Sequence, residues 1–383
     1  MKKLFFLMPL AALVFASCSN DEVQSQAVKQ STDVVTFLPA MNNVTRGTIF
    51  TDAGFKTTPG TFKVIINGKF YAVDPSLPEN SSATAGTVNA THTVTYNTSA
   101  WELSPSLWWG DGTTAATFTA YAPQDAGTVS SGNLSFNVAS TVGNQKDLVV
   151  AYNKGNRSDF SSGVPLHFRH ALSQILVNAS YADDASFPSF PTLDVKIKAI
   201  RFSNVYGSGT LTLPTASTAA GETYAPAWTT SGSATQFGST ELTTALSLTS
   251  TAQYIVTSSD PMLLMPQTTA ATTDLSVASP TGAYLEVLAS ITKKDGGAAV
   301  YPATAGDYEW IAVPVAISWD GGYKYTYTLN FSNVACGKVS PNATNPTPKA
   351  IGDDVISGVP YPVTFLVTVE DTWTDGGTTT PAL

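Results

Sequence analysis

The sequence predicts an all-β protein. Apolar and polar residues alternate with a period of two along most of the chain, and no stretch beyond the N-terminal apolar run sustains a 3.6-residue period. The spacers between alternating segments are rich in Ser, Thr, Gly, Asn and Pro, which is turn chemistry. Only 12% of the residues are charged, against ~25% in typical soluble proteins. Many short strands separated by turn-rich spacers predict β-sandwiches.

The chain opens with a charged Lys2-Lys3 pair and an apolar run at 4–14, broken only by Pro9. A run of that length falls short of the ~20 residues a permanent membrane helix needs and fits a secretory signal. Phe15-Ala16-Ser17-Cys18 then places small residues before a cysteine, the arrangement of a lipobox, although Phe15 stands where Leu or Val is commoner. Cys18 is therefore the expected lipidation site, because its thiol can form the thioether to a diacylglycerol. The signal occupies 1–17 and a polar tether 18–32, in which Asp21 and Glu22 resemble a surface-export signal of one large group of Gram-negative bacteria.

About 350 residues follow, enough for two domains of ~100–200 residues. The first strand is expected at 34–38, stopping at Pro39. Further strands are read at 62–66, 117–122, 172–181, 195–202 and 210–213. At 311–331, Ile311, Val313, Val315, Ile317 and Trp319 share one face. Asp320-Gly321-Gly322 offers a turn, and Tyr323, Tyr325, Tyr327, Leu329 and Phe331 continue an apolar face with Lys324 on the polar side. That pattern reads as a long hairpin, with Pro314 at an edge or bulge. Val363, Phe365, Val367 and Val369 mark the last strand, which suits the closing strand of its own domain better than a donor to another. A polar, Gly-containing loop at 158–164 marks a boundary. The domains are thus read as an N-terminal β-sandwich at 33–164 and a C-terminal β-sandwich at 165–383.

Chemistry is sparse. The net charge of −9 argues against a nucleic-acid partner. Cys336 is the only cysteine besides Cys18, so no disulfide within the mature body is expected, and no group of basic residues surrounds it to lower the thiol's pKa. His167 and His170 lie three apart on a strand and point to opposite faces, so they cannot chelate one metal; His170 is expected to be buried and hydrogen-bonded. Asp183-Asp184 and Asp353-Asp354 supply too few oxygens for calcium, which takes six to eight. No nucleophile elbow, zinc motif or phosphate loop occurs, so no enzyme, metal or cofactor is expected. Trp108-Trp109-Gly110 could stack a sugar, but a strand sends adjacent tryptophans to opposite faces, so one of them is expected in the core.

Four segments in order resemble the fimbrillin family: Phe118-Thr119-Ala120-Tyr121-Ala122-Pro123, Leu166-His167-Phe168-Arg169-His170-Ala171-Leu172-Ser173-Gln174-Ile175, Leu263-Leu264-Met265-Pro266-Gln267 and Gly322-Tyr323-Lys324-Tyr325-Thr326-Tyr327-Thr328-Leu329. With the lipobox they span nearly the whole chain. The resemblance implies two transthyretin-like Greek-key β-sandwich domains in a pilin-like lipoprotein of the outer membrane surface or fimbrium. It also implies an assembly route. An Arg-specific protease cuts an early loop, the first strand leaves, and a strand of a neighbouring subunit fills the groove. Here Arg46, followed by Gly47, matches the cleavage position. Expected partners are other fimbrial subunits, a surface receptor of protein or glycan nature, and the outer membrane through the lipid. The alternative is a surface glycan-binding lipoprotein with Trp108, Trp109 and Trp228 as stacking candidates.

Overall fold

The computed structural model describes residues 34–41, 55–58, 60–110, 112–219, 224–358 and 362–370. Among them, an eight-stranded sheet forms the N-terminal unit. Its order is Phe37–Met41, Val164–His170, Val149–Gly155, Ala116–Ala122, Thr61–Tyr71, Gly86–Asn97 and Ala100–Ser104, with Trp108–Trp109 also paired to Thr61–Tyr71. Alternation gives it one apolar face. Phe62, Val64, Ile66, Phe118, Ala120, Leu166 and Phe168 all point inward, each fully buried. The sheet wraps around them until its first and last strands approach each other.

The C-terminal unit is a two-layer sandwich. One layer comprises Gln253–Val256, Ser173–Tyr181, Lys324–Phe331 and Thr364–Glu370, with Met262–Leu264 beside Ser173–Tyr181. The other is built on Leu193–Val205, Tyr284–Lys293 and Glu309–Pro314. Ile175, Val177, Val287, Ile291, Ile311, Tyr325 and Tyr327 fill the space between them. Cys336 is buried in the same core, where desolvation pushes its thiol pKa up, away from reactivity. A four-stranded sheet joins the units by pairing Asn133–Asn137 of the first half with Ser208–Thr212 of the second. Tyr121, Leu134, Phe136, Leu172, Leu211 and Met265 form a separate core at this junction.

Three expectations change. First, Val164–His170 pairs with Phe37–Met41 and Val149–Gly155, so it belongs to the first sheet, whereas the sequence reading starts the second sandwich at Pro165. The loop at 158–164 is a connection within one sheet. Its Gly163 has φ +122°, and a Cβ there would lie 2.9 Å from the Thr36 hydroxyl. A turn inside a sheet and a linker between domains look alike in composition. Second, 311–331 is not a hairpin. Glu309–Pro314 pairs with Tyr284–Lys293, while Lys324–Phe331 pairs with Ser173–Tyr181 and Thr364–Glu370. The two strands face one core from opposite layers, and period-two alternation is identical for strands side by side and strands face to face. Third, the first strand runs through Pro39 to Met41; an edge position tolerates the missing N–H. The last strand, by contrast, closes its own domain as expected, antiparallel to Lys324–Phe331. That pairing buries Lys324, expected on the polar side, in a 2.7 Å ion pair with Glu370.

The outer face of the larger layer is covered as well. Glu309 is 4% exposed and accepts hydrogen bonds from the backbone amides of Trp310 (2.9 Å), Thr344 (3.1 Å) and Asn345 (2.6 Å), and from the Thr344 hydroxyl (2.9 Å). Burial is the largest single influence and raises its pKa, but these bonds together outweigh it and hold the carboxyl below its ordinary 4.5. A depressed folded-state pKa stabilises the fold above the unfolded value and loses that contribution as pH falls through the folded one. Glu309→Gln should therefore flatten the loss of stability in acid. Denaturant midpoints compared between about pH 3 and pH 6 check this, and an unchanged acid slope would show that the carboxylate contributes nothing.

Candidate functional site

The feature that stands out is the seat of the first strand. Phe37–Met41 lies parallel to Val164–His170 in a register running from Phe37 opposite Val164 to Met41 opposite Phe168. The Val164 amide donates to Thr36 O (2.8 Å), and on the opposite flank the Val35 amide donates to Leu107 O (2.8 Å). Val35, Phe37 and Met41 point inward and are buried, while Leu38 is 48% exposed. Phe37 is the anchor. Its ring meets Phe62 at 6.0 Å and Phe118 at 5.9 Å, both edge-on, a favoured aromatic geometry.

Beneath the strand lies an aromatic floor. Phe55 packs on Phe168 (4.9 Å) and Trp101 (5.5 Å), and Phe62 packs on Trp101 (5.3 Å) and Phe168 (5.3 Å). On the open side, a cleft of about 410 Å³ separates Phe37, Leu38 and Pro39 from Tyr96, Ala100 and Trp101 of the opposite edge. The sheet therefore comes close to closing and stops short, leaving the first strand hydrogen-bonded along one edge for most of its length.

The paired tryptophans belong to this seat. Val34 forms an antiparallel bridge with Trp108. Trp109 is 6% exposed and packs on Phe70 (5.4 Å) and Phe118 (5.7 Å). Trp108 is half-buried. The pair takes opposite faces, as strand geometry requires, so it offers no two-ring platform. Trp228 is also committed: its indole N–H donates to Ala171 O (2.8 Å), and its ring packs on Phe136 (6.2 Å). Cys18, Arg46 and Gly47 lie outside the described residues. Sequence reasoning missed Phe55, Trp101 and Phe168 as the floor; the density of aromatics between 55 and 118 was the available signal.

The remaining candidates have structural partners. His170 is buried with Nδ1 2.9 Å from the Asp147 carboxylate, while His167 faces the other way. Asp183 accepts from the Tyr181 hydroxyl (2.6 Å) and the Thr192 hydroxyl (2.9 Å), and Asp184 accepts from the Ser186 amide (2.9 Å). Asp353 accepts from the Ala350 amide (2.7 Å), and Asp354 pairs with Lys338 (2.7 Å). Among the described residues, no group of three or more His, Cys, Asp or Glu is placed to share a metal ion.

The described residues thus build a multi-sheet β protein whose short, peripheral first strand is seated over a floor of aromatic rings. The chain belongs to the fimbrillin-like family, whose model matches residues 67–345. Similar solved structures include a fimbrial protein of Bacteroides vulgatus, 15% identical over 89% of this chain and 100% of that one, with a TM-score of 0.44. A candidate cell adhesion protein of Bacteroides ovatus is 12% identical over 89% and 98%, with a TM-score of 0.43. A fimbrilin of Porphyromonas gingivalis is 10% identical over 87% and 96%, with a TM-score of 0.38. No curated protein matches.

Proposed function

We propose that this chain is a fimbrial subunit, exported as a lipoprotein through Cys18, that joins its neighbours by exchange of its first strand. The observation that carries the reading is the seat just described: a five-residue parallel edge strand, buried through alternate side chains, over a groove of aromatic rings. Arg46 supports it by position. It lies in the chain between Met41, which ends the strand, and Phe55, which is anchored in the floor. A cut after Arg46 would leave Phe55 with the body and hold the strand by non-covalent contacts alone.

Departure of the strand would bare the N–H and C=O groups of Val164–His170 along with pockets for apolar side chains, a template for strand addition. Each ladder bond a donor regained would contribute ~0.5–1.5 kcal/mol net, and each fully buried apolar side chain ~1.5–3 kcal/mol. The donor would reach the groove as the leaving strand did, through alternate residues facing down.

Intact mass and N-terminal sequencing of the protein from its native cells test this. The wild type is expected to begin at Gly47 and to run as SDS-resistant ladders. Arg46→Ala, or an Arg-protease inhibitor, should return a lipidated chain beginning at Cys18 and abolish the ladders. Wild-type protein that begins at Cys18 and forms no ladder would overturn the strand-exchange reading.

A further inference from the structure

We propose that Thr218 is a positioning residue that keeps the acceptor strand Val164–His170 ordered when its first-strand partner is absent. The proposal rests on the strand-exchange reading above. It starts from a gap in the ladder. Val164–His170 is flanked on one side by the first strand and on the other by Val149–Gly155, but this second pairing extends over only two positions, Arg169 opposite Val150 and His170 opposite Val149. Toward Val164 the two strands are no longer joined by register pairs.

A single residue from elsewhere in the chain fills that gap. Thr218 follows the Ser208–Thr212 strand of the linking sheet and is fully buried. Its hydroxyl accepts from the Tyr152 amide at 3.0 Å and donates to His167 O at 2.7 Å, bridging one strand to the other. Arg169 grips the same segment through Nε to Thr218 O (3.0 Å) and Nη2 to Ala219 O (2.6 Å). Asn153 adds a bond from its side-chain amide to Pro165 O (2.7 Å). A hydroxyl suits the bridge because it donates and accepts at once. Valine would fill the same space and do neither.

The bridge matters most when the first strand is gone. Val164–His170 would then lose a partner along its length and become an edge held by two register pairs and these side-chain bonds. An edge so weakly held frays, and an incoming strand would have to reorder it before pairing. Thr218 removes that step by preorganisation. It also makes the groove of the N-terminal unit depend on a segment of the C-terminal half.

Amide hydrogen exchange on the full-length, uncleaved chain tests this, with each variant made both in the wild-type background and in Phe37→Ala, which undocks the first strand. Thr218→Val is expected to speed exchange by about tenfold at Tyr152, whose amide loses its acceptor, and across Val164–His170, whose His167 carbonyl loses the donor that ties the strand to its neighbour. Thr364–Glu370, at the far layer, should be unchanged. Thr218→Ser keeps both bonds and should exchange like the wild type. Trp228→Phe removes a different junction bond, to Ala171 O, and should leave Val164–His170 protected. The proposal is overturned if Thr218→Val leaves exchange unaltered or speeds it throughout the chain. It is equally overturned if Thr218→Ser or Trp228→Phe frays the strand as much. The readout needs no cleavage and no polymer, so failure to form ladders would refute strand exchange without touching this result.

Discussion

Replacing Glu286 by alanine is expected to cost about 3–5 kcal/mol of stability, the range for breaking a buried ion pair from one side. Glu286 sits in the middle of Tyr284–Lys293, the strand between Leu193–Val205 and Glu309–Pro314, and is fully buried. Arg201 grips it through Nε (2.7 Å) and Nη2 (3.2 Å) while stacking at 3.7 Å over the Trp310 ring. Ser203 and Ser340 donate their hydroxyls to its two oxygens, and the Asn342 side-chain amide adds a bond at 3.1 Å. Alanine would leave all these donors, including a guanidinium that is largely buried, without their acceptor. Glu286→Gln keeps the shape but turns one acceptor oxygen into a donor facing donors, and should cost less. A paired replacement, Glu286→Leu with Arg201→Met, should recover much of the loss, because it removes both charges together. Denaturant unfolding of the three variants checks the order. A loss under about 1 kcal/mol for Glu286→Ala would mean that water replaces the carboxylate at little cost.

Glu286 and Glu309 stand on neighbouring strands and fasten the same loop, one through Ser340 and Asn342, the other through Thr344 and Asn345. Neither was visible in the sequence, for a physical reason. Tyr284–Lys293 is buried on both faces, so it shows no alternation, and an acid inside an apolar run argues against a core strand until its partners are known. Strands buried on one face were easier to read. Thr117 to Ala122 and Val363 to Glu370 announced themselves by period two, and the structure has strands at Ala116–Ala122 and Thr364–Glu370. Pairing was harder. The alternation at 311–331 specifies which side chains point inward but not which strands are neighbours. The candidate site was legible in part. The resemblance pointed to an early strand and to Arg46, yet the floor beneath that strand comes from Phe55, Trp101 and Phe168, brought together across more than a hundred residues by sheet curvature. Thr218 carried no signal at all, since one threonine in a Ser/Thr/Ala loop looks like any other.

Phe37→Ala should release the first strand while leaving the rest of the fold intact. Phenylalanine-to-alanine changes in cores cost about 3–5 kcal/mol, and Phe37 is a core side chain by every measure: 2% exposed and in edge contact with Phe62 and Phe118. The cost should fall locally, because the strand is peripheral and parallel to a single full-length partner. What Phe37 stabilises is chiefly the docked state of its own strand, a sub-global opening below the global unfolding free energy. The Val164 amide, which donates to Thr36 O at 2.8 Å, reports on that opening. Its exchange should accelerate at least about a hundredfold, following from a loss of ~3 kcal/mol or more. Leu38→Ala is the control on the same strand. Leu38 is 48% exposed, so its truncation should stay within about 0.5 kcal/mol. If strand exchange assembles this protein, Phe37→Ala should also ease the exit step, and ladders should form faster once Arg46 is cut. Equal acceleration in Leu38→Ala, or exchange rising as much in Thr364–Glu370 as at Val164, would show that the strand is not an independent element and that the groove opens only when the whole domain does.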